Sequence, residues 1–94
     1  MGTKGRPRPA NLSRKLRQIR IALQLSQTEM VRRLGFEDSF HVGRISEYEL
    51  NIREPSLLIL LAYARVARVH LEDLVDDAIN LPARLPGPVT YDRP

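Results

Sequence analysis

The sequence predicts an all-α domain of five short helices between a basic arm and a proline-rich tail, and three observations predict it. Apolar residues recur at helical spacing in separate segments, Leu12, Leu16, Ile19 and Leu23 forming the plainest stripe. Ser26 stands three residues before Glu29, the S-x-x-E pattern of a capping box, and Gly35 follows the last apolar residue of that segment. Glycine and proline crowd into residues 1–10 and 81–94 and are sparse between them.

Residues 1–10, MGTKGRPRPA, have no apolar anchor and read as a disordered basic arm. Lys4-Gly5-Arg6-Pro7-Arg8-Pro9 resembles an AT-hook core, in which Arg6 and Arg8 enter a narrow minor groove. The alternative is a tail that touches phosphates only. Asn11 or Ser13 can cap the first helix, which extends to about Leu23. Arg14, Lys15 and Arg17 lie off its apolar stripe, so they are either a solvated face or contacts to phosphate.

The second helix opens at Gln27, buries Met30, Val31 and Leu34, and ends in the turn that Gly35 permits. A third starts near His41, with Phe40 folded back as an anchor of the turn. Its Ile45, Tyr48 and Glu49 stand at i, i+3, i+4, and Glu54-Pro55 bars continuation beyond Asn51. Two short helices across a tight turn, on a basic chain, outline a DNA-binding helix-turn-helix at about residues 26–50. With Ile45, Tyr48 and Glu49 inward, the outer face carries Gly43, Arg44, Ser46 and Glu47. Arg44 can donate to guanine and Glu47 can accept from cytosine, supplemented by Ser39 or His41 from the turn. The competing reading of Arg44 and Glu47 is an i, i+3 surface ion pair. Asn51 and Arg53, in the loop that follows, read as phosphate clamps.

Pro55-Ser56 starts a fourth helix that is apolar almost all round, as an internal or partly interfacial helix is. Leu71–Val75 opens a fifth, with Glu72 and Asp73 at its positive end and His70 at the capping position. Leu74, Val75, Ala78 and Ile79 are more apolar than a small monomer needs there, so a two-fold contact is expected through this C-terminal helix. The tail, LPARLPGPVTYDRP, is extended or disordered, tethered by Leu81, Leu85 or Tyr91.

Charge narrows the partners. The formal net charge is +4, and residues 1–20 contain seven lysines and arginines and no acid. A basic front and an acidic back direct the front to a polyanion. Cysteine is absent, which excludes a disulfide framework or thiolate metal site. No apolar run is long enough to span a membrane, and the charged N-terminus precedes no apolar stretch, so neither a membrane partner nor a secretory signal is expected. A cytoplasmic protein fits. His41 and His70 are the only histidines, and no nucleophile–base spacing, phosphate loop or metal motif accompanies them. The chain is not expected to be an enzyme or to carry a cofactor.

The run from Leu25 to Gly35, LSQTEMVRRLG, followed by Ile45, Ser46, Glu49, Asn51 and Pro55, resembles the Cro- and phage-repressor-type (Xre-type) helix-turn-helix family. Leu16-Arg17-Gln18-Ile19-Arg20 resembles that family's first helix, and Pro55 through Leu74 its fourth and fifth, so the likeness covers roughly Leu12 to Ala78. It implies a compact lambda-repressor-like domain over residues 11–80. It further implies a transcriptional regulator, a repressor, that inserts its third helix into the major groove of double-stranded DNA as a homodimer. It implies that Arg20 pairs with Glu49 to fix the third helix on the first, and that Gln27 supports phosphate binding. The chain departs from the pattern in places. Nine residues separate Gly35 from Ile45, which reads as an insertion at 37–40, and Val31 and Asn51 replace a small residue and a glycine. Asparagine tolerates the left-handed conformation, so the latter change is mild. Antitoxins also resemble this family and hold a partner protein through a tail, which makes residues 81–94 a candidate protein-binding segment.

Overall fold

A computed structural model of the chain describes residues 7–38, 42–82 and 85. Its helices are α1 (Leu12–Ala22), α2 (Gln27–Leu34), α3 (Gly43–Glu49), α4 (Leu57–Ala67) and α5 (Leu71–Val75). The all-helical, five-helix architecture is the one the sequence predicts. The third helix begins at Gly43, two residues after the expected start, following a turn at Val42; Ser39, Phe40 and His41 lie outside the described residues.

Each helix start is a local solution to unpaired backbone N–H groups. At α2 the Ser26 hydroxyl accepts from the Glu29 N–H at 3.0 Å and the Glu29 carboxylate accepts from the Ser26 N–H at 2.7 Å, which completes the capping box. Those bonds hold the Glu29 carboxyl below its ordinary pKa, the backbone bond contributing most. At α4 the Ser56 hydroxyl accepts from Ile59 N–H at 3.3 Å. At α5 the Asp73 carboxylate accepts from the His70 N–H at 2.9 Å, so the histidine takes part through its backbone. At α1 the expected cap by Asn11 or Ser13 is replaced, since Asn11 makes no side-chain capping bond. Instead the Asp77 carboxylate accepts from the N–H groups of Ala10 (2.7 Å) and Asn11 (3.0 Å). A negative group from the far end of the chain thus stands at the positive end of α1.

The ends share one device. In α1 the N–H of Gln24 donates to Ile21 and that of Leu25 to Arg20; after α2, Gly35 donates to Arg32 and Phe36 to Val31. After α3, Asn51 donates to Tyr48 and Ile52 to Glu47; after α4, Arg68 donates to Arg65 and Val69 to Ala64. All four are the paired bonds of a Schellman motif, which requires a left-handed residue. Gln24 (φ 61°), Gly35 (86°), Asn51 (63°) and Arg68 (64°) occupy it. Four short helices therefore turn sharply enough to pack on one core.

That core draws Leu16 and Ile19 from α1, Met30 and Leu34 from α2, Ile45 and Tyr48 from α3, and Tyr63 and Ala67 from α4. Each buried large aliphatic contributes about 1.5–3 kcal/mol. α1 packs against α3, α4 and α5, and α2 against α3 and α4, so α3 rests on the first two helices. Phe36, partly buried against the core, anchors the turn after Gly35. Leu81 and Leu85 are buried and the Gln18 amide donates to the Pro82 carbonyl at 3.2 Å, which holds the start of the tail to the domain.

One expectation changes. Leu74 is fully buried, so it belongs to the core and not to a two-fold contact; beside it Val75 and Ala78 are exposed and Ile79 is half-buried. The reason is that α5 is one short turn lying on α1 and α4, and its central apolar residue is the one that faces them. The fourth helix has one buried and one open side, which fits the partly interfacial alternative. Ile59, Leu60, Tyr63, Ala64 and Ala67 are buried, whereas Leu57 and Leu58 at its start are well exposed.

Candidate nucleic-acid interface

α3 separates into two faces. Ile45 and Tyr48 are buried, and Glu49 is bound inward by Arg20 in a two-toothed ion pair, Nε to Oε2 at 2.7 Å and Nη2 to Oε1 at 2.9 Å. The side chains are only 12% and 4% exposed. Arg20 also donates through Nη1 to the Leu25 carbonyl at 3.0 Å, so one guanidinium ties α1, the α1–α2 turn and α3 together. Its pKa is pushed above the ordinary arginine value, chiefly by the hydrogen bonds to Glu49. Beneath lies the fully buried Tyr63, whose phenol is pushed above its ordinary pKa by burial first and by the charge of Glu49 second. Its hydroxyl has no hydrogen-bond partner among the described residues.

Gly43, Arg44, Ser46 and Glu47 occupy the opposite side, each partly exposed, and Leu50 beyond them is well exposed. This is the side that helical spacing turns outward. Glu47 is engaged: its Oε1 accepts from Arg53 Nε at 2.7 Å, and its carbonyl accepts from the N–H groups of Ile52 (2.8 Å) and Arg53 (3.2 Å). Arg53 and Asn51 are both exposed, on the loop after the helix. Ser39 and His41, the expected contributors from the turn, lie outside the described residues, as does Arg6.

Arg8 is described, and its Nη1 donates to the carbonyl and the side-chain oxygen of Asn51, both at 3.2 Å. The last residues of the basic segment therefore lie along the α3–α4 loop, where Arg8, Asn51 and Arg53 border one small cleft. Gln27, the first residue of α2, points its amide nitrogen at Glu49 Oε1 across 3.4 Å. An amide nitrogen carries two hydrogens, so this long bond uses only one of them.

Lys15 is a correction. It is 0% exposed, and its ammonium donates to the carbonyls of Asp73 (2.7 Å) and Asp76 (3.0 Å), so it touches no phosphate. Position 15 is three residues from Leu12 and four from Ile19, on the buried face after all, and the C-terminal end of α5 supplies the oxygens a buried cation needs. Arg17, by contrast, is exposed on α1. Reading the sequence missed Lys15, Arg8 with Asn51, and Tyr63. Only Lys15 carried a usable signal, its place in the apolar spacing.

Among the described residues no group of histidines or carboxylates could hold a metal ion, and no helix is long and apolar enough to cross a membrane. A family model described as helix-turn-helix matches residues 16–74, which takes in most of α1, all of α2 to α4 and most of α5. No curated protein and no solved structure matches the chain.

Proposed function

The chain belongs to the helix-turn-helix family of the Cro and phage-repressor type, a family of DNA-binding regulators, and from that premise we propose that it is a sequence-specific transcriptional repressor acting in the cytoplasm. It lays α3 in the major groove of double-stranded DNA, where Arg44 reads a guanine edge and Gly43 and Ser46 let the helix approach the bases. Gln27, Arg17, Asn51 and Arg53 hold flanking phosphates, and the arm that ends at Arg8 adds further cations. Bound at a promoter, it excludes polymerase.

The observation that carries this reading is the division of α3. Everything that fixes the helix, namely Ile45, Tyr48 and the Arg20–Glu49 pair, faces inward, and what is left outward is one polar face with cations at its end. Such a helix is rigidly mounted from within and turns a partly exposed side outward. Two-fold DNA sites favour a dimer with half-sites about 34 Å apart. Since Leu74 is internal, the contact falls to exposed apolar side chains, Val75 with Ala78 after it, or Leu57 with Leu58. Sedimentation of Val75→Glu and Leu58→Glu at micromolar concentration shows which.

The test is selection of bound sites from a random double-stranded library by the full chain. The expected result is a short motif repeated with two-fold symmetry at that spacing. Recovery of unselected sequence would rule out sequence-specific recognition.

A further inference from the structure

The residue that least fits a base-reading role on the outer face of α3 is Glu47. A carboxylate that recognises cytosine must offer its lone pairs to the groove. Here Oε1 is taken up by Arg53 Nε at 2.7 Å, and the Glu47 carbonyl accepts from the N–H groups of both Ile52 and Arg53. The loop from Asn51 to Arg53 is therefore wound around this one residue, through its backbone and its side chain at once. Asn51, in the left-handed conformation that makes the winding possible (φ 63°), is bound in turn by Arg8.

A guanidinium is a planar fork, and a partner on its Nε edge fixes the direction in which the remaining N–H groups point. The pair is open to solvent, 51% and 38% exposed, so those groups can still reach a ligand. A carboxylate, an arginine and a phosphate can stand in line, each contact charge-assisted. We propose that Glu47 is a positioning residue: it holds Arg53 for a backbone phosphate at the end of α3 and does not read a base. This assignment rests on the DNA-binding reading above and places base discrimination on Arg44 and its neighbours.

The test uses the full chain with its selected duplex and every single-base variant of it, titrated by fluorescence anisotropy over a range of salt. Wild type, Glu47→Ala, Glu47→Gln, Arg53→Ala and the Glu47→Ala/Arg53→Ala double variant are compared. Glu47→Ala should weaken binding by the same factor on every duplex, about 3- to 5-fold. Arg53→Ala should weaken all duplexes alike and reduce the slope of log K against log salt by about 1. In the Arg53→Ala background, Glu47→Ala should cost nothing further. Glu47→Gln keeps an oxygen for the Nε–H and should bind like wild type or tighter, since a negative charge beside the DNA is gone. Loss of discrimination at a single base pair in Glu47→Ala, or an undiminished effect of that change without Arg53, overturns the proposal while DNA binding stands. A wild-type chain that binds no duplex overturns the DNA-binding reading itself. Without DNA, exchange of the Arg53 Nε–H seen by NMR should speed up in Glu47→Ala; an unchanged rate also overturns the pairing.

Discussion

Glu47 and Glu49 stand two residues apart on one short helix, and each binds an arginine at 2.7 Å. The two pairs nevertheless belong to different parts of the molecule's business. Glu49 is 4% exposed and Arg20 12%, with both carboxylate oxygens bonded, whereas the Glu47–Arg53 pair is about half open to water. Equal distances therefore hide unequal consequences, because water and side-chain entropy cancel most of an exposed pair's attraction. Breaking a buried pair leaves a stranded charge. The inner pair mounts the helix, and the outer one stands open to water.

The largest effect that could break this contrast is on stability. Arg20→Ala and Glu49→Ala should each destabilise by about 3–5 kcal/mol, toward the lower end because Arg20 keeps an edge in water, and the double variant should lose much less than the sum. Thermal and urea melts measure it, and mild, additive losses would make the inner pair no different from the outer one. Glu47→Ala should cost only ~0–1 kcal/mol in the same melts.

Lys15 extends the contrast to a buried cation held by backbone carbonyls. Lys15→Met keeps most of the apolar stem but leaves the carbonyls of Asp73 and Asp76 without a donor, for a loss of about 1–3 kcal/mol. The salt slope of DNA binding should not change. A lower slope with an unchanged melting temperature would return Lys15 to the DNA-facing side.

Legibility followed the range of the interactions. Ser26 with Glu29, Gly35, and Ile45 with Tyr48 each act within one turn or one cap, so their spacing shows what they do; the Arg20–Glu49 pair spans 29 positions and was legible only through the family resemblance. Lys15 is bound by carbonyls 58 and 61 residues away, and Asp77 caps a helix that begins 65 positions before it, contacts no local pattern contains. Helical spacing puts Glu47 on one face with Arg44, but its bond to Arg53, six positions on, forms beyond a left-handed turn that folds the chain back. Gln24 and Arg68 end their helices left-handed with no glycine to announce it. Of the candidate interface, the face of α3 was readable; what each charged group on it is bound to was not.

Two smaller effects sharpen the account. The carboxyls of Asp77 and Glu29 sit below their ordinary pKa values, Asp77 through the N–H groups of Asn11 and then Ala10. A depressed carboxyl stabilises the fold above its unfolded pKa, and that contribution disappears as pH falls through the folded value. Melting temperature should therefore be insensitive to these groups at neutral pH and fall below about pH 4. Asp77→Asn should flatten that acid dependence; a profile identical to wild type would mean the cap on α1 is not made. Tyr63→Phe removes a buried hydroxyl that has no partner among the described residues, and should be neutral or stabilising by up to about 1 kcal/mol. A clear loss in the melt would show that the hydroxyl is bonded.

The claim on which the rest depends is that the outer face of α3 reads bases while its inner face holds the fold. Arg44→Ala, titrated against the selected site and against all its single-base variants, tests that most directly. If Arg44 reads a base, the variant keeps a melting temperature close to wild type, loses ~1–3 kcal/mol on the selected site and shows relaxed discrimination at one base pair. Uniform weakening on every sequence would contradict it, because a residue that acts equally everywhere is not reading the groove.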